Sequence, residues 1–171
     1  MESINNDALI AEYNTIKDEL RSNEEHRNNL LIFAYTSVGA ILSFSIQSKN
    51  SYIALVTFFI LICVKCRIIY YRDIFMIRFG YIKFVLEEKL QINAYSAMGK
   101  IRTSKRSQIQ HFSFSIMGIG GFWVYFINNP YNIGTLILLC ILLLSILWLD
   151  IYYINSLKSL SKEIEYKYKN L

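Results

Sequence analysis

The chain has 171 residues, 54% of them hydrophobic and only 18% charged, and carries 13 Tyr, 11 Phe and 2 Trp. An ordinary soluble domain carries about 25% charge, and so much aromatic surface excludes a solvated coil. A single Pro with 7 Gly disfavours a loop-rich or all-β chain, leaving a small helical membrane protein.

The formal charge of +5 is unevenly spread. Residues 1–29 hold seven acids against three bases, whereas residues 65–106 hold ten bases against three acids. A basic block of this kind seeks anionic lipid, nucleic acid or a phosphorylated ligand.

In chain order, residues 1–29 form a polar, acidic cytoplasmic helix with no signal-peptide pattern. Its apolar stripe, Leu9, Tyr13, Ile16 and Leu20, recurs at spacings of 4, 3 and 4. Residues 30–64 form a first membrane hairpin, with apolar runs at 30–46 and 52–64 joined by the turn-like 47–51. Residues 65–106 continue as a basic cytoplasmic helix and linker. Residues 107–154 form a second hairpin, with runs at 112–127 and 133–149 joined by 128–132. Residues 155–171 are an amphipathic tail, with Ile154, Leu157, Ser161, Ile164, Tyr168 and Leu171 at spacings of 3, 4, 3, 4 and 3. The stripes at the two ends read either as intrachain packing or as a subunit interface.

The expected fold is therefore an all-α membrane protein with four transmembrane helices in two hairpins, its helices extending into the cytoplasm. A bilayer core takes ~20 helical residues. The hairpin joins carry one base, Lys49, and the long basic segment lies on the opposite side. The positive-inside rule then puts both termini and the basic middle in the cytoplasm of a bacterial inner-membrane protein.

Several constellations could carry chemistry. Lys65, Arg67 and Asp150 interrupt apolar runs. They read either as side chains snorkelling to the headgroups, with Asp150 as partner, or as a basic inner vestibule. The candidate phosphate-binding residues are Lys65, Arg67, Arg72, Arg78, Lys100, Arg102, Lys105 and Arg106. Thr36, Ser37, Ser43, Ser115, Gly118 and Gly121 are candidates for helix packing or pore lining. Cys63 and Cys66 form a C-x-x-C within an apolar run, with no second pair, so no metal site and no cofactor is expected. Arg21/His26 and Arg106/His111 share an Arg-x4-His spacing found in helical ribonucleases of the HEPN group. Both pairs abut apolar spans, where an RNA strand would be hard to seat. Phosphate loops, dinucleotide fingerprints and nucleophile elbows are missing, so no enzyme is expected.

The order of motifs resembles a group of small bacterial four-span proteins that open with an E-Y-x-x-I/L-x-x-E helix. The matching residues are Glu12, Tyr13, Ile16 and Glu19, then Arg67, Arg72, Asp73, Arg78, Tyr81, Ile82 and Glu87. The architecture is also similar to membrane effectors of anti-phage systems such as Hailong. In those a nucleotidyltransferase partner makes a nucleotide or single-stranded oligonucleotide that controls a small oligomeric channel, a tetramer in Hailong. That likeness implies a homo-oligomeric channel gated by an anionic ligand at the basic face. The competing reading is a non-conducting membrane adaptor that recruits a soluble partner.

Overall fold

The computed structural model describes residues 2–92, 94, 105–128 and 133–169. Every regular element among them is helical. α1 is Glu2–Gln47, α2 Ala54–Tyr81, α3 Glu87–Leu90, α4 Lys105–Asn128 and α5 Ile133–Lys169. A 3-10 turn at Ser51–Ile53 precedes α2, and a π-helical turn at Ile82–Leu86 separates α2 from α3. At ~1.5 Å per residue, α1 is about 69 Å long. Residues 129–132 of the turn expected at 128–132, and most of the linker expected at 91–106, lie outside the described residues.

The helices contribute to two compact units. One comprises residues 28–69 and 104–154. Its core takes Leu31, Ala34 and Val38 from α1, Phe58, Leu61, Val64 and Ile68 from α2, Phe114 and Tyr125 from α4, and Leu139 and Ile146 from α5. The spacings of three, four and seven put each set on one helical face. Two glycines bring α4 close to its neighbours. A Cβ at Gly118 would sit 3.3 Å from Ile146 Cδ1, and one at Gly121 would sit 3.0 Å from Thr57 Oγ1. After α1 the chain turns through Lys49, whose φ of 53° is left-handed. The turn is closed by Ser45 Oγ donating to the Asn50 carbonyl at 3.0 Å and by the Tyr52 amide donating to Asn50 Oδ1 at 3.2 Å.

The second unit comprises residues 1–27, 70–103 and 155–171. The N-terminal stripe packs as its periodicity predicts. Leu9, Tyr13, Ile16 and Leu20 lie against Ile82 and Leu86. From the C-terminal stripe, Leu157, Ile164 and Tyr168 join Met76, Phe79 and Phe84. Both ends thus find cover on the helix between them within one chain. The π turn is marked by the Glu87 amide donating to the Ile82 carbonyl, five residues back. α3 closes with Gln91 at φ 54° and the Ile92 amide donating to the Glu87 carbonyl at 3.0 Å. That is the hydrogen-bond pattern of a Schellman stop.

Three of the described helical stretches are long and apolar enough to cross a membrane: Asn6–Gln47, Ala54–Leu90 and Ile133–Tyr168. α4, expected as a fourth span, is long enough at 24 residues but is not among the three. Gln108, Gln110 and His111 near its start, and Gly118, Gly120 and Gly121 in its middle, dilute its apolar character.

Candidate functional site

The first unit holds a small polar cluster within its apolar core and is apolar outside as well. Ile32, Phe33, Phe44, Phe59, Ile116, Trp123, Ile137, Leu144 and Trp148 are each more than half exposed. Lys65, His111, Ser115 and Asp150 are buried, Lys65 and His111 completely so. Lysine and aspartate are almost never fully buried unless paired, and so large an exposed apolar surface marks a membrane or protein contact.

The four buried residues form one cluster built from three helices. α2 presents Lys65 on the same line as Leu61 and Ile68, so core packing carries its stem inward. The ammonium Nζ donates to Asp150 Oδ1 at 2.5 Å, Ser115 Oγ at 2.7 Å and the Ile146 carbonyl at 3.2 Å. Those three bonds use all three ammonium donors. Ser115 Oγ in turn donates to Asp150 Oδ2. His111 lies one helical turn before Ser115 on α4, with Nε2 3.3 Å from Asp150 Oδ1. Its ring stacks on Tyr153 at a centroid distance of 4.1 Å.

Both carboxylate oxygens of Asp150 therefore face donors, and the Lys65–Asp150 pair adds no net charge to the core. Burying such a pair contributes little stability relative to apolar residues of similar volume, but removing one partner is costly. The arrangement fixes which faces of α2, α4 and α5 meet. It contains one carboxylate and one imidazole, and no group of three or more His, Cys, Asp or Glu side chains suited to a metal occurs among the described residues.

The remaining sequence candidates fall in different places. Arg72 is buried and donates to Asp73 Oδ1 through Nε at 2.8 Å and through Nη2 at 2.5 Å, and to Ser156 Oγ at 2.7 Å. Arg78 pairs with Glu19 Oε2 at 2.6 Å. Arg67 is exposed. Lys100 and Arg102 lie outside the described residues, as do the side chains of Lys105 and Arg106. Of the packing or pore candidates, Ser115, Gly118 and Gly121 are interior, Ser37 is half-buried, and Thr36 and Ser43 are exposed. Cys63 and Cys66 are free and exposed on α2. Arg21 pairs with Glu25 at 3.4 Å, and His26 stacks on Tyr71 at a centroid distance of 6.4 Å.

The opening-helix motif also acquires a geometric account. Glu12 accepts a hydrogen bond from Tyr81 at 2.9 Å, and Glu19 holds Arg78. Tyr13 and Ile16 pack beside Ile82. Motif residues on α1 thus meet motif residues on and just after α2.

Sequence reasoning places Lys65 and Asp150 at membrane depth, but sets His111 in an Arg-x4-His pair and Ser115 in a packing stripe. The missed signal is that three polar residues, Lys65, His111 and Asp150, each flank the end of an apolar run, with Ser115 one turn inside its own. No family model, no curated protein and no solved structure matches this chain.

Proposed function

We propose that this chain is a four-span protein of the bacterial inner membrane and forms a homo-oligomeric ion channel. On this reading α1 with α2, and α4 with α5, are the two hairpins, and both termini are cytoplasmic. The channel is an effector of anti-phage defence, gated by an anionic nucleotide or oligonucleotide from a nucleotidyltransferase partner. The observation that supports the reading best is the apolar exterior of the first unit around a buried Lys65–Asp150 cluster. Ionisable residues held this way within spans face a bundle interior and accompany transport or gating.

The internal bonds of Lys65, Arg72 and Arg78 narrow the expected ligand contacts. Phosphate recognition then falls chiefly to the basic run Lys100, Arg102, Lys105 and Arg106. Planar-bilayer recording of the purified protein, with its oligomer mass measured in the same detergent, tests the proposal. Unitary currents that respond to an added oligonucleotide are expected, with ligand affinity falling steeply as salt rises. Arg102→Glu with Arg106→Glu should abolish the ligand response and leave conduction intact. A silent monomer with and without nucleotide would sink the channel reading.

The second reading, a non-conducting adaptor, is favoured by a cavity of about 500 Å³ in the second unit. Asn14, Lys17, Asp18, Arg21 and Glu24 line it opposite Phe75 and Phe79. Mixed charge beside an aromatic wall suits a protein segment better than a bare polyanion. A stable stoichiometric complex with one soluble protein, without conductance, would select it.

A further inference from the structure

We infer that the buried cluster is a proton-operated switch: protonation of His111 makes its imidazole a second cation on Asp150, which displaces the Lys65 ammonium and frees α2 from α5. The switch would couple the proposed channel to cytoplasmic acidity, but it rests on the geometry of the cluster and not on conduction. One carboxylate here serves two bases. Lys65 Nζ and His111 Nε2 converge on the same oxygen, Asp150 Oδ1, at 2.5 Å and 3.3 Å, while Oδ2 accepts from Ser115 Oγ. With a neutral imidazole, the ammonium and the carboxylate cancel. With an imidazolium, two positive charges share one negative charge in the interior. Their nitrogens then lie within the ~6 Å over which like charges oppose each other strongly.

The surroundings decide which cation yields. The titratable and charged groups set around the imidazole are Asp150 and Tyr153 from α5 and Lys65 from α2. α1 meets α4 through Tyr35, whose hydroxyl shares a 2.6 Å hydrogen bond with Ser113 and whose ring stacks on Phe114. The Tyr153 ring lies over His111 with the two planes only 19° apart. A cation over an aromatic face is attracted to it, so this contact holds the imidazolium in place. Lys65 has a way out that His111 lacks. It is followed by exposed Cys66 and Arg67 at the inner end of its apolar run, and a lysine stem there carries its ammonium to the headgroups. Its departure breaks three polar ties from α2, to Ser115 on α4 and to Ile146 and Asp150 on α5. The proton comes from water and stays on the imidazole, and the ammonium keeps its own.

Bimane fluorescence of the full-length protein in proteoliposomes tests this. Cys66 on α2 and Trp148 on α5 line one groove between the helices. Bimane is attached to Cys66 in a background of Cys63→Ser, Cys140→Ser and Trp123→Phe, so that Trp148 is the tryptophan left to quench it. Acidification from about pH 8 to about pH 5, the range in which an ordinary imidazole gains its proton, should raise the emission reversibly by about twofold as α2 leaves α5. The rise should vanish in His111→Gln, which keeps a side-chain donor for Asp150 but takes up no proton. No rise, or an equal rise in His111→Gln, overturns the inference. A second measurement does not need that variant. The chain has two histidines, so His26→Gln leaves His111 as the single imidazole for nitrogen NMR. Its ring nitrogens should pass from the neutral to the imidazolium pattern over the pH range of the bimane rise, and an imidazole that stays neutral throughout overturns the switch. Ion flux in the same vesicles separates the two ideas. A bimane rise with no flux at any pH keeps the switch and removes the channel. Flux with no bimane rise keeps the channel and removes the switch.

Discussion

Lys65 Nζ and Asp150 Oδ1 stand 2.5 Å apart across 85 positions of sequence, both in the interior of the unit. The pair is a mutual requirement: each charge is tolerable there only because the other is present. Lys65→Met or Asp150→Asn alone should cost about 3–5 kcal/mol, because the surviving charge loses its counter-ion. Lys65→Met with Asp150→Leu should recover most of that loss. Unfolding midpoints in detergent check this, and a neutral Lys65→Met single variant would show that the ammonium is not held in the core.

Ser115 both accepts from Lys65 and donates to Asp150, so it is the hinge of the cluster on α4. Ser115→Ala should destabilise by about 1–3 kcal/mol, the cost of leaving buried polar groups short of a partner. Combined with Lys65→Met and Asp150→Leu, the same substitution should cost much less. A double-mutant cycle with no coupling would argue that the three side chains do not act as one network.

Gly121 and Gly120 are neighbours with opposite expectations. A methyl at Gly121 meets Thr57 Oγ1 at 3.0 Å, and that hydroxyl is itself held by a 2.6 Å bond to the Ala54 carbonyl. Gly121→Ala should cost about 1–3 kcal/mol through overpacking. Gly120 has nothing within 4 Å of the added carbon, so Gly120→Ala should stabilise by up to about 1 kcal/mol through helix propensity. Equal effects at the two positions, read as thermal midpoints, would refute the close approach of α4 and α2.

Arg78 and Glu19 are both partly exposed, which limits their pair to roughly 0.2–1 kcal/mol. Arg78→Glu should lower stability by that order, and the swap Glu19→Arg with Arg78→Glu should restore it. The coupling should shrink in 1 M salt, where screening acts within ~3 Å. By contrast Met76→Ala and Ile164→Ala, in the apolar contact of the same unit, should each cost about 2–5 kcal/mol.

The helices were legible because their signals are local. Leu9, Tyr13, Ile16 and Leu20 repeat at helical spacing, and burying them needs only a neighbouring apolar face, which Ile82 and Leu86 supply. The internal ion pairs were much less legible. Arg78 looks the same in sequence whether it faces Glu19 or a phosphate, and charge counting treats both as available. The grouping of His111 with Asp150 depends on the rotation of α4 and α5, which no short-range spacing encodes. α4 falls outside the three long apolar stretches because serines, a histidine and glycines stand between Phe112, Phe114, Ile116 and the apolar residues that follow.

The separation of Lys65 from Asp150 also has a consequence for biosynthesis. On the membrane reading, α2 leaves the ribosome carrying a lysine whose counter-ion has not yet been made. At about 5–20 residues per second, those 85 positions correspond to about 4–17 s of translation. A lone ammonium at the centre of a span costs about 2.5–3.5 kcal/mol, and one near its inner end, as Lys65 is, costs less. The nascent α2 is therefore less stably seated, its lysine turned to the headgroups, until α5 emerges. Chains truncated before Asp150 should fail quality control and be degraded, which pulse–chase of nested truncations would register as a step in lifetime at that residue.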